Sequence, residues 1–190
     1  MKQAAATDYL YGLAIESVAW LFVILGIMKM ANRPAFRAAV VGYRLLGESL
    51  STIAAVLIPP AEIVPGILML VGRGGVAVPL AMSALLLAFS AAIGLNLVRG
   101  RDIDCGCDGG VTPSKISWAH VRRNVLLSSI LLWIATHPPQ ISSLSVGERT
   151  SLFSASLLLT ALYVFGKAPL HLWRHLARPQ QTFIDVPNAR

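Results

Sequence analysis

The chain has 190 residues, of which 55% are hydrophobic and only 13% are charged, and its formal net charge is +7 at pH 7. So apolar a composition is rare in a water-soluble domain of this length, and it excludes an ordinary soluble globule. The basic residues cluster beside apolar runs rather than along one polar face, which argues against nucleic acid as a partner. The composition therefore predicts an integral membrane protein in contact with the lipid bilayer.

Five apolar runs follow one another along the chain. A helix needs about 20 mostly apolar residues to cross about 30 Å of hydrocarbon, and two of the five runs are somewhat short. None alternates with the period of two that a membrane barrel requires. We predict an all-α polytopic transmembrane helical bundle of four to five spans with no β domain. The predicted spans are residues 9–28, 50–71, 76–98, 121–135 and 151–166, within a membrane domain of residues 1–167 followed by a basic tail of residues 168–190.

Charged residues interrupt the first two runs. No convincing small-x-small cleavage site follows the first run, so we expect it to be retained as a membrane helix, with Lys29 at its end extending to the lipid headgroups. Glu62 follows Pro59 and Pro60 inside the second run. A carboxylate there would cost about 3 kcal/mol facing lipid, so Glu62 should face protein or water. It is either a proton acceptor near a thiol, a residue near a quinone, or a carboxyl satisfied by a neighbouring helix, and Glu16 allows the same alternatives.

The third run carries small residues at four-residue spacing. Ala84, Ala88 and Ala92 precede Asn96 along one face of the predicted helix. Small side chains let helix backbones approach closely in a membrane. We therefore predict that this stripe is a packing face.

The basic residues that flank the runs predict an orientation, because Lys and Arg favour the cytoplasmic side of a membrane. With five spans, 13 of the 16 Lys and Arg residues fall on one side. The N-terminus is then outside, the C-terminus is cytoplasmic, and the loop between the third and fourth spans lies at the cytoplasmic face. The side with fewer basic residues has only Lys2, Arg73 and Arg149.

That loop, residues 99–115, is the most polar part of the chain and holds its only two cysteines, Cys105 and Cys107. Thr112 followed by Pro113 indicates an N-cap and the first turn of a helix that continues into the fourth span. The cysteines are therefore predicted to lie in a glycine-rich turn just before a helix.

Cys105 and Cys107 can close a small disulfide ring, because Gly106 between them tolerates backbone angles that a larger residue resists. We expect this ring to be strained, which favours thiol–disulfide exchange over a structural role. A ring of three residues would also constrain little conformational entropy in the unfolded chain. A redox-active pair is thus one interpretation of the motif.

The charges around the cysteines leave other interpretations open. Asp104 and Asp108 disfavour a thiolate, whereas Lys115 and the other basic residues of the loop favour it, so the pair is either a working dithiol or two inert thiols. A metal site that adds Asp104, Asp108 or His120 is the weakest alternative, because structural zinc normally needs four N or S ligands at recognisable spacing. No phosphate-binding glycine pattern and no serine in a triad context occur, which leaves kinases and hydrolases without support.

Several of these features together resemble the family of methylamine utilisation protein MauE, within a wider MauE/DoxX-like group of small membrane proteins. They are a first span that ends in Lys29, a second span with Pro59-Pro60 and Glu62, the Asp-Cys-Gly-Cys-Asp-Gly-Gly segment of residues 104–110, and a final helical hairpin that starts near residues 122–124. The resemblance covers about the first 165 residues, and the Cys-Gly-Cys element is its most specific part. It implies a DoxX-like four-helix core.

The resemblance implies a function in the bacterial inner membrane. Proteins of this family are implicated in processing, disulfide formation and maturation of the beta (small) subunit of methylamine dehydrogenase, together with a thioredoxin-like, MauD-type partner. Only Cys105 and Cys107 inherit a redox role from it, with Gly106 as the turn between them. No metal or cofactor is implied, and whether the protein is itself an enzyme depends on whether the pair is redox-active.

Two other functions stay open at this point. One is a non-catalytic assembly or export factor for the same subunit, in which the loop is a docking surface. The other is a quinone-linked thiol oxidase, with Glu62 and Trp118 near the quinone. The charge count also places the cysteines at the cytoplasmic face, whereas the disulfides of that subunit form in the periplasm. Either the helices rock to expose the pair to the other face, or a short span is misjudged and the loop is periplasmic.

Overall fold

The computed structural model describes residues 2–107, 109, 114–137 and 145–166. The predicted basic tail and Asp108 lie outside these residues. Within them the chain forms six α-helices and no strand, with one isolated bridge between Asp104 and Lys115. The predicted all-α membrane bundle is confirmed. The helices are α1 (Lys2–Ala31), α2 (Arg33–Gly42), α3 (Glu48–Leu70), α4 (Ala77–Val98), α5 (Trp118–Thr136) and α6 (Val146–Phe165).

Three of these helices are long and apolar enough to cross a bilayer: α1 from Thr7 onwards, α3 and α4. They correspond to the first three predicted spans. The fourth predicted span falls inside α5, and the fifth falls in α6 except for its last residue, Gly166, which follows the helix; α5 and α6 have 19 and 20 residues. Helices of that length extend about 30 Å. They pack against α4 and α1 respectively, so that α5 and α6 complete the bundle around the three more apolar helices.

The close approach of α1 and α3 depends on glycines. A Cβ atom on Gly66 would lie 3.0 Å from the Ala19 carbonyl oxygen, and one on Gly26 would lie 3.1 Å from the Pro59 carbonyl oxygen. Larger side chains would push the two backbones apart. The approach sets Lys29 of α1 against the middle of α3.

The packing of α4 against α5 differs from the predicted alanine stripe. The two helices are joined by a hydrogen bond of 2.6 Å between the buried hydroxyls of Ser83 and Ser128. Ala84 and Ala88 are exposed instead, so the stripe is wrong as a packing face within this chain. Asn96, the last member, is buried and donates to the Ala92 carbonyl oxygen at 3.0 Å.

The start of α5 also differs from the prediction. The helix begins at Trp118, with Ser117 at its N-cap position, and the predicted start at Thr112 and Pro113 lies outside the described residues. Residues 114–116 pair with residues 103–105 as extended chain, because the Ile116 amide donates to the Ile103 carbonyl and the Cys105 amide donates to the Ser114 carbonyl. The loop therefore returns along itself before the helix can start.

Candidate functional site

The cysteine loop folds back into the bundle rather than projecting from it. The Cys105 amide donates to the Ser114 carbonyl oxygen at 2.8 Å, which fixes the limb that carries the cysteine. Cys105 is buried in a small cluster with Ile93 of α4 and Ile116. The two described limbs of the loop thus have a defined shape, because apolar residues on both of them pack against α4.

Cys105 and Cys107 are joined by a disulfide, with their Cα atoms 5.3 Å apart. Gly106 between them has φ +64°, and a Cβ atom there would lie 2.6 Å from the Cβ of Ala39 in α2. Both the left-handed backbone and the contact with α2 require glycine at this position. Cys105 is buried and Cys107 is only half-buried, so the two cysteines differ in their exposure.

A tyrosine that the sequence analysis missed holds the disulfide in place. The Tyr43 hydroxyl donates to the Cys105 carbonyl oxygen at 3.1 Å, and the Tyr43 carbonyl accepts from Arg101 Nη1 at 2.8 Å. Burial, with a smaller contribution from the charge of Asp104, raises the pKa of Tyr43 to about 12. The hydroxyl therefore remains a hydrogen-bond donor at any physiological pH. No local motif marks Tyr43, because its role arises only when the end of α2 meets the loop.

The acidic and basic residues proposed to tune the thiols have other partners. Asp104 Oδ1 accepts from the Gly106 amide at 3.2 Å, which stabilises the turn. Lys115 forms an ion pair with Asp102 on the surface. Asp108 lies outside the described residues. Among the described residues no group of three or more His, Cys, Asp and Glu side chains is placed to hold a metal ion.

Lys29 and Glu62 form a buried ion pair between α1 and α3. The prediction that Lys29 extends to the headgroups is wrong, because its side chain is only 4% exposed. Glu62 Oε2 has no hydrogen-bond partner in the part of the chain that the structure describes. The rings of Phe36 and Phe89 lie with their centroids 5.5 Å and 5.3 Å from Lys29 Nζ. Glu16 is satisfied elsewhere, since its Oε2 accepts from the Ser156 hydroxyl of α6 at 2.9 Å.

A cavity of about 350 Å³ separates the disulfide from this ion pair. Its wall is mostly apolar and includes Cys105, Cys107, Lys29 and Glu62. The cysteines and the carboxylate that the sequence analysis selected therefore face one shared space. Trp118 does not belong to it and is 56% exposed.

Ala88 and Ala92 of α4 also line the cavity. These two residues are the middle of the alanine stripe that the sequence analysis took for a packing face. Their small side chains leave the space open between α4 and the ion pair.

A family model described as methylamine utilisation protein MauE matches residues 7–136, which include α1 from Thr7 onwards, the helices α2 to α5 and the cysteine loop. The chain belongs to the MauE family. It is similar to the methylamine utilization protein MauE of Paracoccus denitrificans, with 34% identity over 148 residues, or 76% of this chain and 80% of the relative. The MauE of Methylophilus methylotrophus is 32% identical over 149 residues, or 77% of this chain and 78% of the relative.

A third relative, the MauE of Paracoccus versutus, is 29% identical over 164 residues, or 86% of this chain and 88% of the relative. No solved structure matches the chain. The resemblance inferred from the cysteine motif and the charged residues in the spans is thus confirmed, and the chain is a MauE-family membrane protein.

Proposed function

We propose that this protein is an inner-membrane thiol–disulfide relay in methylamine utilisation, and that it supports processing, disulfide formation and maturation of the methylamine dehydrogenase beta subunit. The observation that carries the proposal is the Cys105–Cys107 disulfide, in which Cys107 is half-buried and Cys105 is buried. The names of the relatives supply the link to methylamine utilisation. The beta subunit and a thioredoxin-like, MauD-type partner are what the family resemblance implies.

The unequal burial of the two sulfurs suggests the order of exchange. A thiolate of the partner attacks Cys107 Sγ, the S–S bond breaks, and Cys105 leaves as a thiolate. The second thiol of the partner then attacks the mixed disulfide. The partner ends as a disulfide, having lost two electrons and two protons, and Cys105 and Cys107 end as a dithiol.

A structural role explains the disulfide less well. Closing a ring of three residues removes little entropy from the unfolded chain. The loop is already fixed by the hydrogen bond from Tyr43 and by the pairing of its two limbs. Thiol–disulfide exchange therefore explains the presence of this bond better than a contribution to fold stability does.

Single cysteine variants test the order of attack. Cys105→Ser leaves the more accessible Cys107 as a free thiol, so we expect it to attack the disulfide form of the thioredoxin-like partner and to accumulate a mixed disulfide on a non-reducing gel. Cys107→Ser leaves only the buried Cys105 and is the matched control, with much less complex expected. Equal trapping by both variants would contradict the assignment of Cys107 as the attacked sulfur.

The double variant Cys105→Ser, Cys107→Ser tests the relay itself. In cells that lack the native copy, we expect the beta subunit to lose its disulfides and to be degraded. Normal maturation with the double variant would overturn the relay and leave a non-catalytic assembly or export factor.

The face on which the loop works is tested with a membrane-impermeant maleimide on intact cells, before and after reduction. Labelling that appears only after reduction, and from outside, would place the pair directly beside a periplasmic substrate. Protection from the impermeant reagent, with labelling by a permeant one, is the result that the charge count predicts. The helices would then have to rock to present the pair to the other face.

A further inference from the structure

The cavity beside the disulfide bears on how the reduced cysteine pair passes its two electrons on. The chain has two cysteines in all, and both are in the disulfide. Once a partner has reduced this pair, no second dithiol within the chain can take the electrons onward. They must leave to another molecule that reaches the sulfurs.

The size and position of the cavity restrict that molecule. A space of about 350 Å³ is far too small for a folded protein and falls in the range of small-molecule sites. Its walls come from α1, α3 and α4, the three helices apolar enough to cross a bilayer, together with α2, α5 and the loop. Because this wall is mostly apolar, a molecule that fits the cavity is itself largely apolar.

The few polar groups on the cavity wall restrict its chemistry further. Lys29 Nζ can donate a hydrogen bond to a carbonyl oxygen, and it lies close to the rings of Phe36 and Phe89, which can pack against a planar ring. Glu62 adds a buried carboxylate oxygen without a partner among the described residues. These groups fit a planar ring that carries carbonyl groups when oxidised and hydroxyl groups when reduced. The cation donates to a carbonyl, the aromatic faces pack against the ring, and the unpartnered carboxylate oxygen accepts from a hydroxyl.

We propose that this cavity binds a membrane quinone, and that the quinone accepts the electrons of the reduced Cys105–Cys107 pair; the inference rests on the proposed relay. Two S–H bonds break and one S–S bond forms, while the quinone gains two electrons and two protons to become a quinol. Glu62 and Lys29 position the quinone in the cavity, whose wall also includes Cys105 and Cys107. The relay then runs in the direction that oxidises its partner.

The test uses the purified full-length chain in lipid nanodiscs, with its cysteines reduced and the reductant removed under anaerobic conditions. Decylubiquinone is the probe, and its loss of absorbance is followed together with the loss of free thiols. We expect one quinone reduced per protein, with the disulfide restored. A protein whose thiols exchange with the thioredoxin-like partner but do not reduce decylubiquinone would overturn this inference alone, whereas failure of the exchange itself would overturn the proposed relay.

Filling the cavity tests its location. Ala88→Phe places a ring in the cavity, and we expect the rate of quinone reduction to fall about tenfold or more, while exchange with the partner is unchanged. Ala84→Phe is the matched control, since Ala84 is exposed one turn earlier in α4 and does not line the cavity. Ala92→Phe repeats the test at a second wall position if the first variant does not fold. Equal rates for Ala88→Phe and Ala84→Phe, with Ala92→Phe also unaffected, would overturn the proposal that the quinone reacts in this cavity.

Discussion

Replacing Lys29 with methionine is expected to destabilise the fold by about 3–5 kcal/mol, because the variant leaves the Glu62 carboxylate buried without its partner. The side chains of the pair are only 4% and 6% exposed. Glu62 Oε2 has no partner among the described residues, so the carboxylate depends on Lys29 for its hydrogen bonding.

Removing both charges should reverse most of this loss. The double variant Lys29→Met, Glu62→Met keeps similar side-chain volumes, and replacing a buried ion pair by apolar side chains is often neutral or stabilising. Arg37→Met is the control. Arg37 and Glu48 are 3.9 Å apart with side chains 52% and 83% exposed. Removing this surface ion pair should lower the free energy of unfolding by only about 0–1 kcal/mol.

The measurement is unfolding of each purified variant in mixed micelles with an increasing fraction of sodium dodecyl sulfate, followed by far-ultraviolet circular dichroism. The free energies of unfolding form a double-mutant cycle for the pair. The reasoning would be refuted if Lys29→Met lay within about 1 kcal/mol of the wild type. It would equally be refuted if the double variant lost as much stability as the two single variants together.

Three further predictions concern the loop and the helix packing. An alanine in the left-handed conformation costs about 1–2 kcal/mol. Gly106→Ala should destabilise the fold by more than this, because its Cβ would also clash with α2. Gly72 has φ +67° and open space around it, so Gly72→Ala is the control and should show only the backbone cost in the same unfolding assay. Ser83→Ala should cost about 0.6–1.7 kcal/mol by leaving the Ser128 hydroxyl without its partner. A double alanine variant that loses the sum of both single effects would contradict this coupling. Because the pKa of Tyr43 is raised to about 12 and a free tyrosine ionises near 10, the folded state holds this proton longer than the unfolded state. Stability should therefore fall between about pH 10 and 12, and Tyr43→Phe should lessen that fall when unfolding is measured across this range.

The sequence by itself determined the fold class, because long apolar runs without alternation have only one stable form in lipid. It also indicated which residues are candidates for chemistry. Cys105 and Cys107 stand out by their spacing, and Glu62 stands out because a carboxylate within an apolar run must be satisfied by something. These conclusions depend on local composition and spacing, which a sequence displays directly.

Only the tertiary structure decided what each of these residues contacts. Lys29 lies at the end of an apolar run and was expected among the headgroups, but close packing of α1 on α3 at two glycines brings it to Glu62 instead. Ala88 sits in a stripe typical of helix packing, yet it borders a cavity because α4 meets α5 on a different face. Tyr43 reaches the disulfide across 62 residues of chain. Contacts of this kind depend on which helix faces meet in space, and no spacing along the sequence records that choice.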